Sequence, residues 1–227
     1  VNNWNSRNFD KHKYNVILDL DNTIISCIEC TKKNNSLIES LKSKFNTYYE
    51  LSENGEVKYI IFKRNNLDSF LDHLFSHYNV SIWTAATRLY SSFVIKNIFS
   101  NRHLDYIFFK YHVNLSKKLH NSSKNLNLLF NTFNLHNYNS TNTVLIDNMS
   151  DIANSRFPYK TILCNSFDIV NFINTYNSDN ELENIISKIN SIFNTSYTQN
   201  SYKPKIEPPK IEPPKIEPPK IEDIRIE

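Results

Sequence analysis

Three short stretches of the chain carry side chains that could act together. NVILDLDNT places Asp19 and Asp21 at the end of an apolar run, SIWTAAT ends in Thr84 and the backbone amides after it, and TVLID ends in Asp147 with Asn148 next. If 14–20 is a strand, positions i and i+2 share a face, so Asp19 and Asp21 converge on one small volume. Two carboxylates that close repel each other and need a shared proton or a cation at neutral pH. Adding Asp147 and the Asn148 amide makes an all-oxygen donor set, which suits a hard divalent ion such as Mg2+ rather than zinc. The Thr84 hydroxyl and free amides at a helix start near Arg88 are groups that bind a phosphoryl oxygen. Lys117, Lys118 and Lys124 lie between the Thr84 and Asp147 stretches, and any of them can add positive charge. A metal, a lysine, amide donors and a nucleophilic carboxylate together form the set that moves a phosphoryl group, because that transition state is stabilised mainly by charge and position. Each motif alone is ordinary: DxD often opens a turn, and Thr84 reads equally well as a helix cap. It is their conjunction at three strand ends that points to function.

Ligands of an open parallel sheet sit beyond the carboxyl ends of its strands, so these residues require strands alternating with helices. Apolar runs at 14–20, 57–62, 80–84, 106–109, 143–147 and 161–164 predict the strands. Leu67, Phe70, Leu71, Leu74, Phe75 and Tyr78 form one helical stripe; further helices are expected over 88–99 and 179–193. Helical spacing over 36–49 (Leu37, Leu41, Phe45, Tyr48) predicts an insertion after the first strand, able to lie over what that strand presents. The pattern predicts an α/β fold, a Rossmann-like three-layer sandwich with a mostly parallel central sheet, small insertions and no large cap domain.

Composition narrows the field. The chain has 227 residues, 40% hydrophobic, enough for one substantial core and short for two. No apolar run approaches the roughly 20 residues of a membrane-spanning helix, and the opening lacks the apolar core of a signal peptide, so an intracellular site, nuclear or cytoplasmic, is expected. Three cysteines, Cys27, Cys30 and Cys164, argue against a disulfide framework; Cys27 and Cys30 read as ordinary reduced thiols. A net charge of +3 is too small to argue for nucleic acid or anionic lipid. Gly55 is the sole glycine, so the abundant Asn is expected to fill left-handed turn positions. Residues 1–202 form the expected domain, and 203–227, with its PPKIE repeats, an extended disordered tail that serves as a spacer or meets an unidentified partner.

DLDNT, Asp19 to Thr23, resembles the DxDxT signature of the haloacid-dehalogenase superfamily. With FKRNNLDSFL, VSIWTAATRLY and VLIDNMS, in order across 16–150, it resembles the RNA polymerase II C-terminal-domain phosphatases, the small ones especially. Asn65 stands where that family has Pro, and DNMS where it has DNSP. The resemblance implies an Mg2+-dependent protein serine/threonine phosphatase whose substrate is a phosphorylated peptide or protein, the polymerase tail included. Asp19 would be the nucleophile and Asp21 the acid and base. Thr84 would bind a phosphoryl oxygen, and Asp19, the Asp21 carbonyl, Asn148 and Asp147 would hold the metal. The family lysine is best matched by Lys124 in KNLNLL, with Lys118 the alternative. A catalytically silent scaffold or translocase-like module and a phosphatase of nucleic-acid 3′ ends or small metabolites are the rival readings on this fold.

Overall fold

The structure, a computed structural model, describes residues 12–45, 47–100, 102–149 and 160–193; the PPKIE tail and Trp4 lie outside them. Five parallel strands make the central sheet: β1 (Asn15–Leu18), β5 (Asn79–Trp83), β6 (Ile107–Phe108), β7 (Thr143–Asp147) and β8 (Thr161–Leu163), in the order β6-β5-β1-β7-β8. The chain builds outward from β1 through β5 to β6, then crosses back to β7 on the other flank of β1. The strand order therefore reverses at β1, and a crevice for a ligand opens at such a point.

Alternate residues of the three central strands enter different cores, as the period of two demands. Val16, Leu18, Val80, Ile82, Val144 and Ile146 meet α2 (Leu67–His77), α3 (Arg88–Phe99) and α5 (Glu181–Phe193). Ile17, Trp83 and Leu145 meet Val113 of α4 (Lys110–His120) and the segment from Leu126 to Tyr138, whose Leu128–Thr132 forms one π-helical turn. Both faces are thus covered, which is why the strands read as unbroken apolar runs. Leu67, Phe70, Leu71 and Leu74 of α2 are buried, and each such side chain contributes roughly 1.5–3 kcal/mol by leaving water.

At the amino ends of the strands, Asn15, Asn79 and Thr143 stand side by side in register. Asn79 Nδ2 donates to Asn15 Oδ1 at 2.9 Å, and Asn15 Nδ2 donates to the Asn137 carbonyl at 2.8 Å and to Thr143 Oγ1 at 3.2 Å. This buried amide clamp opposes slippage, since a one-residue shift would break every bond in it.

One expectation is corrected. The run at 57–62 is not a strand of the parallel sheet; β4 (Glu56–Lys63) lies between β2 (Ile25–Glu29) and β3 (Tyr48–Glu53) in a separate antiparallel sheet. Ile61 enters the main core while Ile60 and Phe62 enter a third one with α1 (Asn35–Lys44) and Phe167. Burial on both faces makes such a strand look like a central parallel one. The helix expected over 36–49 ends at Lys44, and Tyr48 begins β3. α1 packs on this small sheet's core rather than over the β1 carboxylates. Asn54 and Gly55, at φ 53° and 80°, make the tight turn joining β3 to β4. Of the seven non-glycine residues with positive φ among the described residues, six are Asn, so Asn takes the turn role glycine usually fills. No described helix is long and apolar enough to cross a membrane.

Candidate active site

Leu18 of β1 is in register with Ile146 of β7, so the residues that follow, Asp19 and Asp147, come level on neighbouring strands. Asp19 N–H donates to the Ile146 carbonyl at 3.0 Å, which extends the ladder to this level. Strands about 4.8 Å apart bring the two carboxylates side by side, and both are buried. Lys124 answers them. Its Nζ donates to Asp19 Oδ1 and to Asp147 Oδ2, each at 2.5 Å, and its side chain is fully buried. Burial alone would push the ammonium towards neutrality; the two carboxylates more than reverse this, so Lys124 is held above its ordinary pKa. Burial, then the Asp19 charge, pushes Asp147 up to about 6.

Lys124 reaches the site because of what flanks it. Leu126, Leu128 and Leu129 are fully buried on the same sheet face as Ile17 and Leu145. Ser116 of α4 accepts the Asn125 N–H at 2.9 Å and donates to the Ser122 carbonyl at 2.7 Å, fastening the loop before the lysine. Lys117 and Lys118, on α4, are exposed. The lysine that sequence left open is therefore resolved in position: Lys124, not Lys118, meets the carboxylates.

Asp21 departs from expectation. β1 ends at Leu18, so alternation no longer governs the next residues; Asp21 lies in a turn that bridges to Ile25, with Asn22 at φ 57°. Its Oδ1 accepts a hydrogen bond from the Tyr90 hydroxyl at 2.5 Å. Burial pushes this carboxyl up to about 6, with Asp19 adding to the rise and Tyr90 and Lys124 opposing it. Thr84 is buried two residues past Ile82, the register partner of Leu18. Its Oγ1 accepts the Ala86 N–H at 3.0 Å, which leaves the hydroxyl proton to offer a ligand. Thr23 Oγ1 donates to Asp19 Oδ2 at 2.9 Å and lies 3.3 Å from Asn148 Oδ1, so the amide oxygen belongs to the same cluster.

Thr23 and Tyr90 gained definition only here, and Arg64, whose place beside Lys63 at the end of the 57–62 run suggests pairing with an acid near the site, gained its partners. Thr23 orients Asp19, and Tyr90 holds Asp21. Arg64 is fully buried: its Nη1 donates to the Thr23 and Asn165 carbonyls at 2.9 Å each, and its Nε pairs with Asp179 at 2.7 Å. The arginine thus ties the turn after β1 to the loop after β8 and to the start of α5. Periodicity could find none of these roles, since each depends on a partner between 4 and 115 residues away.

The oxygen donors match the coordination preferences of Mg2+. No group of three or more His, Cys, Asp or Glu side chains surrounds one point among the described residues, so a cation here would rest on Asp19, Asp147, the Asn148 amide and a backbone carbonyl. One or two carboxylates with retained water is how Mg2+ is commonly bound. Three carboxylates against one ammonium also leave negative charge for a divalent ion to balance.

A parallel sheet with a DxDxT turn after its central strand, a buried lysine and an acid on the neighbouring strand defines a haloacid-dehalogenase-type phosphatase domain. Residues 14–198 match the model of the NLI interacting factor-like phosphatases, and the chain belongs to that family. It is 29% identical over 187 residues to the CTD phosphatase-like protein 355R of Invertebrate iridescent virus 6, covering 79% of this chain and 97% of that protein. The corresponding 355R protein of Invertebrate iridescent virus 3 is 30% identical over 178 residues, covering 74% and 89%. The structure of Fcp1, an essential RNA polymerase II CTD phosphatase, shares the fold with TM-score 0.51 and 18% identity over 79% of this chain and 48% of its own. A fission yeast Fcp1 variant bound to beryllium fluoride gives the same TM-score. This chain thus spans about half the length of the Fcp1 chains it matches.

Proposed function

We propose that this protein is an Mg2+-dependent phosphatase of phosphoserine and phosphothreonine in proteins, working through a phosphorylated Asp19, with the RNA polymerase II C-terminal domain as its substrate. The observation that carries the reading is the Lys124 ammonium shared by Asp19 and Asp147 at the carboxyl ends of adjacent strands. Lys124 and Thr23 hold the Asp19 carboxylate in one orientation, which lowers the cost of bringing it in line with phosphorus. In the first step an Asp19 oxygen bonds to phosphorus as the bond to the serine or threonine oxygen breaks, and Asp21 gives that oxygen a proton. In the second step Asp21 takes a proton from water, the water oxygen attacks phosphorus, and Asp19 is released with inorganic phosphate. A carboxyl raised to about 6 serves both duties near neutral pH. The Thr84 hydroxyl, the amides after it and Lys124 offset charge on the phosphoryl oxygens. Mg2+, when bound by Asp19, Asp147, Asn148 and the Asp21 carbonyl, would neutralise the phosphoryl group further. The names of the viral relatives support the choice of substrate.

The test is turnover by purified protein with Mg2+, on p-nitrophenyl phosphate, a phosphoserine peptide and a 3′-phosphorylated oligonucleotide. Asp19→Asn, with its fold retained, is expected to lose activity by about 10³-fold or more, and a chelator to abolish it in the wild type. Undiminished turnover in Asp19→Asn overturns the assignment, and a preference for the oligonucleotide overturns the substrate class.

A further inference from the structure

We propose that Tyr90 is a positioning residue that selects Oδ2 of Asp21 as the oxygen that passes the proton to the leaving group. The inference rests on the role just given to Asp21. Tyr90 lies in the first turn of α3, six residues after Thr84, at the mouth of the site. Its hydroxyl donates to Asp21 Oδ1 at 2.5 Å. The ring is half-buried and meets Tyr59 of β4 edge to face, with centroids 5.9 Å apart at 79°. The ring is consequently placed from two sides, by α3 and β4.

The chemical consequence follows from the limits of a carboxyl group. An oxygen already accepting a strong hydrogen bond is the carbonyl-like one, so the proton of the acid resides on the other. Tyr90 itself keeps its proton at neutral pH, since a phenol ordinarily titrates at about 10 and this one is the donor to Asp21. It serves as a fixed donor and not as a second acid. Proton transfer falls steeply when donor and acceptor are misaligned, and Asp21 sits in an irregular turn with Asn22 in the left-handed region, where no strand ladder fixes its side chain. Tyr90 supplies that constraint. The arrangement also gives the inserted sheet a part in catalysis, since Tyr59 packs against the residue that orients the acid.

A residue that only stabilises the fold lowers every activity together. A residue that aims the proton affects only leaving groups that need one. The oxygen of phosphoserine leaves as a strongly basic alkoxide unless protonated, whereas p-nitrophenolate leaves unaided. Tyr90→Phe keeps the ring against Tyr59 and removes only the donor. Its kcat/KM, which reports the steps through transfer to Asp19, is expected to fall ~10- to 100-fold on a phosphoserine peptide and by less than about threefold on p-nitrophenyl phosphate. In an Asp21→Asn background, the same change is expected to cause no further loss on the peptide. Cys27→Ala, which leaves the Tyr90–Asp21 bond intact, is expected to preserve the wild-type ratio of the two substrates. Equal losses on both substrates in Tyr90→Phe, no loss on the peptide, additive losses with Asp21→Asn, or a Cys27→Ala ratio shifted as far as that of Tyr90→Phe would each overturn the role of Tyr90. Absence of wild-type turnover, or its persistence in Asp19→Asn, overturns the underlying phosphatase reading instead.

Discussion

The same three strands, β5, β1 and β7, bury polar side chains at both of their ends, and the two ends are built on opposite principles. At the amino end Asn79, Asn15 and Thr143 are neutral and hydrogen-bond one another and nearby carbonyls. At the carboxyl end Asp19 and Asp147 are charged, share one ammonium, and have a third carboxyl, Asp21, close by. A satisfied neutral network is a stable way to bury polarity, whereas buried like charges cost free energy unless balanced. The amino end is the arrangement expected of a structural clamp. The carboxyl end, at the topological reversal, keeps an imbalance that a cation and a phosphoryl group can use. Position in the sheet separates the two, because helices approach this edge with their amino ends and loops there are free to carry ligand groups.

Three substitutions probe that contrast. The largest effect is expected from Lys124→Ala, which leaves two buried carboxylates without their cation. Stability should drop by about 3–5 kcal/mol in denaturant titration, and turnover by ~10²-fold or more; a variant with wild-type midpoint and wild-type kcat would erase the distinction between the two ends. Asn15→Ala comes next. It removes the centre of the amide clamp and should cost about 1–3 kcal/mol in the same titration, while kcat at a temperature well below melting stays within about twofold; a fall in kcat that outpaces the loss of folded protein would mean the amino end communicates with the site. Lys118→Ala is expected to do least, within about 0.5 kcal/mol and with unchanged kcat, because that side chain is exposed on α4. A loss as large as that of Lys124→Ala would show that the wrong lysine has been placed in the site.

The contrast also explains which features were readable in advance. The strands 143–147 and the helix 88–99 match their expected bounds, since each has a strong apolar pattern and clear limits. α4 escaped notice: its buried face holds only Val113 and Ser116, while Leu119 is half exposed, so hydrophobic periodicity points the wrong way. The strand 57–62 was recognised as a strand but assigned to the wrong sheet, because Ile60, Ile61 and Phe62 are buried on both faces, as in a central parallel strand. Among the site residues, Asp19, Thr84, Asp147 and Asn148 stood out because each closes an apolar run. Residue type alone left Lys117, Lys118 and Lys124 level, and the family resemblance favoured Lys124 over Lys118; what seats it in the fold is the burial of Leu126, Leu128 and Leu129 beneath the sheet.

Local order in the chain therefore settles which residues end strands, which runs are apolar, and so the class of chemistry these polar types can perform. Contacts between distant segments settle the rest: that β1 and β7 are neighbours in register, that one lysine of three reaches their acids, and that Asp21 turns to Tyr90. The physical reason is range. Strand and helix periods arise from the backbone within a few residues, whereas charge balance in a buried site depends on partners such as Lys124 and Asp19, 105 residues apart, brought together only when the cores close.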